Sequence, residues 1–122
     1  MIDRLYETVG GRSTINAAVD LFYRKVLADD RLRHFFEDVD MDHLRARQSM
    51  FLTMLLGGGT VYTGRDIRAA HARPREKGLN DSHFDVLLRH FQASLEELGI
   101  AAEHVREVMR LLENTRVAVL GR

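Results

Sequence analysis

His71 is the first residue whose type and setting could do chemistry. It lies in Asp66-Ile67-Arg68-Ala69-Ala70-His71-Ala72-Arg73-Pro74, a short stretch closed by the chain's only proline, with Gly57, Gly58 and Gly59 upstream and Gly78 downstream. A clipped segment between two long amphipathic stretches makes poor core filler. It can instead hold an imidazole fixed toward a cavity, as an iron-centred cofactor requires. Gln48 comes next: it follows Leu44 by four residues and precedes Phe51 by three, which puts an amide on the apolar face of a helix. Tyr23 continues the face of Ile15, Val19 and Phe22 and brings a hydroxyl with it. Burying such a group without a partner costs roughly 1–3 kcal/mol. Either the two bond each other or a backbone carbonyl, or both aim at one polar ligand inside an apolar pocket.

The remaining histidines are weaker candidates. His34 adjoins Arg33, and His43 and His104 fall on charged faces, so all three read as surface residues. His90, beside Phe91, reads as surface or rim. His83 is the real competitor, because its neighbour Phe84 is on a buried face; yet in Asn80-Asp81-Ser82-His83 it occupies a helix start, where capping suffices. Other chemistries find no constellation. No His-Glu-x-x-His occurs, Gly57-Gly58-Gly59-Thr60 lacks the lysine of a phosphate loop, and Ser13, Ser49 and Ser94 lack a glycine-framed elbow.

The elements that must position these residues are helical. A short first helix ends at Gly10-Gly11, and Ser13 or Thr14 is placed to cap a second with the face Ile15, Val19, Phe22, Tyr23, Val26, Leu27. Asp29-Asp30 breaks it, and a turn or two follows from Arg31 to Phe36. A third helix, capped by Asp40 or Asp42, runs through Leu56 with the stripe Leu44, Gln48, Phe51, Leu52, Leu55 and stops at three glycines. The segment from Gly57 to Gly64 reads as loop, and a short helix carries His71. Asn80 or Asp81 opens the next helix, with Phe84, Leu87, Leu88, Phe91, Leu95 and Leu98 on one face and Gly99 as its stop. The last helix carries Val105, Val108, Met109, Leu112 and Val119. Two pairs of sizeable helices with short connectors make a small all-α sandwich.

The bulk composition bounds the function. The 122 residues suit one domain, spanning 1–122, and 45% hydrophobic content supports one core. Lys+Arg and Asp+Glu are both 18, and the cations are scattered without interleaved aromatics, which argues against nucleic acid as a partner. With no cysteine there is no disulfide, thiolate metal site, iron–sulfur cluster or thiol nucleophile. The polar first residues, Met1 to Glu7, and the lack of a long apolar run make a cytoplasmic protein with no membrane partner the expectation.

Taken together, the chain resembles the truncated haemoglobins, in their group I branch. The resemblance rests on three blocks: Phe22-Tyr23 with Val26-Leu27-Ala28-Asp29-Asp30 and Phe35-Phe36; Leu44 to Gly58 around Gln48, followed by Tyr62-Thr63-Gly64; and Ala70-His71, Gly78-Leu79 and His83-Phe84-Asp85. It implies a truncated globin, a two-over-two helical sandwich enclosing haem b, with glycine signatures at Gly10-Gly11, Gly57-Gly58 and Gly78. It also implies His71, rather than His83, as proximal iron ligand. Phe36 would pack on the porphyrin face, and Tyr23 and Gln48 would hydrogen-bond the gas ligand. Leu44 would stand where larger globins place a distal histidine, Arg47 would face a haem propionate, and Phe51, Tyr62 and Phe84 would complete the haem contacts.

Some relatives from photosynthetic bacteria place a second axial histidine just before the distal glutamine; here that residue is Arg47, so a pocket without distal histidine is expected. The stretch from Ala72 to Lys77, with Pro74, is longer than in some group I members. The last helix has no histidine able to attach to a haem vinyl group, so the haem is expected to be exchangeable. The resemblance implies binding of O2, NO or CO by a monomer or weak dimer. Nitric oxide dioxygenation would need an external electron-donating reductase, since the chain has no flavin or nicotinamide module. A haem redox, peroxidase or gas-sensing role is the alternative reading, and a cofactor-free helical interaction module the remote one.

Overall fold

The computed structural model describes residues 5–57 and 64–122. Among these the regular elements are all helical: α1 (Leu5–Thr8), α2 (Gly11–Leu27), a 3-10 turn (Arg33–Phe36), α3 (Met41–Leu55), α4 (Gly64–Ala70), α5 (Ala72–Glu76), α6 (Asp81–Glu97), α7 (Ala102–Glu113) and α8 (Arg116–Val119). The four long helices form the frame, with α2 packed on α3 and α6, and α6 packed on α7. No helix of the described residues is long and apolar enough to cross a membrane.

The α2 face falls as its spacing dictates: Ile15, Val19, Phe22, Tyr23 and Val26 are buried, joined by Ala18. Its start differs from the expectation. Gly10, at φ 119°, is the N-cap, so Ser13 and Thr14 lie inside the helix and neither caps it. The glycine is required twice over, since a Cβ there would take the left-handed region and meet Thr14 Oγ1 at 2.1 Å. Asp40 caps α3, accepting from the His43 N–H at 3.2 Å. Asn80 caps α6 in a reciprocal box: its side-chain oxygen accepts from the His83 N–H at 3.3 Å, and its own N–H donates to His83 Nδ1 at 3.2 Å.

Two expected boundaries move. Pro74 does not close the His71 segment; it lies in the first turn of α5, where its missing N–H has no helical partner to lose. The last helix divides at Asn114-Thr115 into α7 and α8. Thr115 Oγ1 donates to the Leu112 carbonyl at 2.7 Å across that break.

Apolar burial separates into two clusters. The larger joins α2, α3, α6 and α7 around fully buried Val19, Val26, Leu52 and Val108. The smaller unites Ile67, Phe84 and Val119 from α4, α6 and α8.

Candidate functional site

Under α2, α3 and α6 a void of about 10 Å³ lies beside Ile15 and Leu52. Spare volume is concentrated elsewhere, in a cavity of about 410 Å³ that opens to the surface. Tyr23, Phe36, Leu44, Arg47, Gln48, Phe51, His71 and Phe84 all line it. Every site residue expected from the sequence is thus brought to one cavity, apart from Tyr62, which lies outside the described residues. His71 is the one histidine on this wall among the described residues. His83 is held by its capping box, and His90 Nε2 bonds Asp29 Oδ2 at 2.8 Å, so both competitors have other work.

His71 terminates α4 and forms the N-cap position of α5. Its Nδ1 donates to the Ile67 carbonyl at 2.8 Å, one helical turn back. That bond fixes the tautomer and leaves Nε2 as the free, unprotonated atom. Burial lowers the imidazole's proton affinity; the Ile67 carbonyl opposes this, while Arg75 and Arg47 add to it. The ring is therefore a neutral donor, the state that binds a metal.

Across the cavity, Tyr23 is 4% exposed and stacks edge-on with Phe22 and Phe36, at centroid distances of 4.8 and 5.9 Å. Burial raises the pKa of its hydroxyl well above that of a free phenol, against the pull of Arg45 and Arg47. It therefore stays a protonated donor. Neither the hydroxyl nor the Gln48 amide has a hydrogen-bond partner among the described residues, and no polar side-chain atom of those residues is both sealed from the cavity and unpaired. They do not bond each other. Both polar groups instead present open valences to the cavity.

At the mouth, Arg47 is joined by Arg73 and Lys77, two cations the sequence reading missed. Their spacing, four residues apart on the helix after His71, was the available signal. None of the three pairs with a carboxylate among the described residues; Lys77 Nζ donates to the Phe35 carbonyl at 3.4 Å. Asp29 was also read too simply, as a helix breaker. Its side chain, 8% exposed, accepts from Arg31 at 2.8 and 3.0 Å and from His90, and the Arg31 guanidinium holds it well below the usual carboxylate range.

A flat macrocycle with two carboxylate tails and a central iron needs apolar faces, one neutral imidazole, and cations at its edge. Phe36, Leu44, Phe51 and Phe84 would supply the faces, His71 the imidazole, and Arg47, Arg73 and Lys77 the edge. The donor set fits haem.

A helical sandwich that closes an apolar slot between one neutral imidazole and two uncommitted hydrogen-bonding groups has the arrangement of a haem globin. The chain belongs to the bacterial-like globin family, whose sequence profile matches residues 4–121. It is 44% identical to a group 1 truncated hemoglobin of Tetrahymena pyriformis over 97% of this chain and 95% of that one. It is 47% identical to a group 1 truncated hemoglobin of Synechocystis over 85% of each chain. The solved 2/2 hemoglobin of Synechococcus sp. PCC 7002, in the cyanomet state and with covalently attached heme, matches at a TM-score of 0.92 and 37% identity, covering 98% of this chain and 100% of that one. The fold is the two-over-two sandwich of truncated haemoglobins, and the cofactor-free reading is set aside.

Proposed function

We propose that this chain is a haem-based oxygen-binding globin in which His71 holds the iron and Tyr23 and Gln48 hold the gas. The observation that carries the reading is that Tyr23, Gln48 and His71 line one cavity while Tyr23 and Gln48 bond neither each other nor any described residue. Haem, when bound, supplies a ferrous iron that takes a diatomic gas and, given nitric oxide, turns NO and O2 into nitrate with the loss of one electron to the product.

His71 presents Nε2 to the metal with Nδ1 tied to Ile67. Tyr23 donates its hydroxyl proton to a ligand carrying partial negative charge, and the Gln48 amide can donate beside it. Each such bond contributes about 1–3 kcal/mol, which slows ligand escape. Phe22, Phe36 and Leu44 keep bulk water from competing for those donors. Arg47, Arg73 and Lys77 hold the two carboxylate tails at the mouth. Nitrate formation needs one electron per turnover from outside the chain, and we assign that to an external reductase.

The test is an absorption spectrum of the purified protein, ferric and then reduced, with oxygen release timed in parent and Tyr23→Phe. A five-coordinate ferrous spectrum and faster release in the variant are expected. Absence of a Soret band, or an unchanged release rate, would overturn the assignment.

A further inference from the structure

The short elements on the His71 side hold one another in place. α4 has seven residues and α8 four, each too short to persist as an isolated helix. Ile67 of α4 and Val119 of α8 are buried in the same apolar cluster. Two arginine side chains then reach backbone carbonyls of the α8 segment. Arg68 Nη1 donates to the Arg122 carbonyl at 3.1 Å, and Arg75 Nη1 to the Val119 carbonyl at 3.0 Å. The α8 segment is itself anchored to the start of α6. Arg122 reaches Asp81 at 2.8 and 3.0 Å, and Arg116 reaches Asp81 at 3.0 Å, pairs with Asp85, and lies 4.6 Å over the Phe84 ring.

These fastenings converge on His71 from two directions. Ile67 is one: its side chain packs with Val119, while its carbonyl accepts the Nδ1 proton. Arg75 is the other: its N–H donates to the His71 carbonyl at 3.1 Å, while its guanidinium holds α8. Gly121, at φ 71°, leaves room for that guanidinium, since a Cβ there would sit 2.8 Å from Arg75 Nε.

We propose that Arg75 and residues 116–122 form a clamp that sets the orientation and donor strength of the His71 imidazole, with Arg75 as a positioning residue. The clamp rests on the assignment of His71 as iron ligand. A firm Nδ1–H bond to a carbonyl makes the ring more basic and stiffens its bond to a metal; loosening such an outer partner typically costs 10–100-fold in affinity.

The experiment compares the parent, Arg75→Met and Arg75→Lys holoproteins by three measurements. They are the iron–histidine stretching band of the ferrous state, exchange of the His71 Nδ1–H by NMR in the diamagnetic carbon monoxide complex, and the rate of haem loss. Arg75→Met should lower the band frequency, the loosened Ile67 bond outweighing the lost Arg75 charge, speed exchange, and release haem about tenfold faster. Arg75→Lys should restore part of each, and the iron–carbonyl stretch, which reports Tyr23 and Gln48, should stay put. If Arg75→Met cannot be isolated, Gly121→Ala displaces the same guanidinium and should shift the same readouts in the same sense. A parent-like band and parent-like exchange in the variants overturn the clamp. Persistence of the band in His71→Leu overturns the ligand assignment instead, a result that a silent Arg75→Met cannot mimic.

Discussion

The two walls of the cavity treat their polar atoms in opposite ways. On the wall made by α2 and α3, long helices carry Tyr23 and Gln48 with no hydrogen-bond partner among the described residues. On the wall made by α4 and α5, helices of seven and five residues have the polar atoms around the imidazole tied down, His71 Nδ1 to Ile67, Arg75 to Val119 and Lys77 to Phe35, with Arg73 the exception at the mouth. Long helices need no such ties, because packing over several turns holds them. The rigid wall can therefore keep donors free for a ligand, while the short wall uses its bonds to fix one imidazole.

The largest effect that would break this contrast is removal of the fixed imidazole. His71→Leu keeps an apolar filling at the cavity wall, so the protein should fold yet purify without stoichiometric haem, read as loss of the Soret band. A parent-like ferrous spectrum in that variant would mean another residue holds the iron. Next comes the open wall. Tyr23→Phe should speed oxygen dissociation roughly 5- to 150-fold, the equivalent of about 1–3 kcal/mol for a bond to a charged acceptor.

Gln48→Leu should do the same at the lower end, roughly five- to tenfold, since a neutral amide is the weaker donor. If the two act on one ligand atom, the double variant should fall short of the product of the single effects. Strict additivity would separate their roles.

Acidity sharpens the contrast from the other side. Burial depresses the His71 pKa below its ordinary 6.5, so the unfolded chain takes up a proton there before the folded one does. The stabilising contribution is complete above about pH 6.5 and is lost as the pH falls from there toward the depressed folded value. Haem retention should decline once the pH falls to the depressed folded value, and Asp29 and Asp81, both lowered from 3.8, lose their contributions below that carboxylate value. Haem retention that does not fall with acidity before the chain unfolds would argue against proton competition at His71. The smallest effect belongs to the mouth: Arg47→Ala should speed haem loss only a few-fold, less so at high salt, as expected for an exposed ion pair. Acidified organic solvent should extract the haem completely, because His104, the histidine of α7, does not line the cavity.

Local spacing made much of this legible. A polar residue in the middle of an apolar stripe betrays itself, which is why Tyr23 and Gln48 could be singled out, and the head of the next periodic run narrowed its cap to Asn80 or Asp81, of which Asn80 serves. Pro74 misled because a proline that ends one helix and a proline that begins another look alike in sequence. Leu112 and Val119 are seven residues apart, two helical turns, so the apolar rhythm runs straight through the break at Thr115. The pair of Asp29 with His90 joins residues 61 apart, and nothing local marks it. The Arg75 latch on Val119, 44 residues away, was hidden for the same reason.

The division of the interior into two apolar clusters reaches into the life history of the protein. Phe51, Leu79 and Leu88 border both clusters. The smaller cluster, built on Ile67, Phe84 and Val119, buries far less apolar surface than the larger one, so it is expected to open at lower cost. Its opening should leave the amide protection of α2, α3 and α7 in place and touch α6 only around Phe84. Hydrogen exchange should accordingly be fast in α4, α5 and α8 of the haem-free chain and slow in the four long helices away from Phe84. A newly made polypeptide can thus complete its frame first and admit the cofactor through a side that has yet to close.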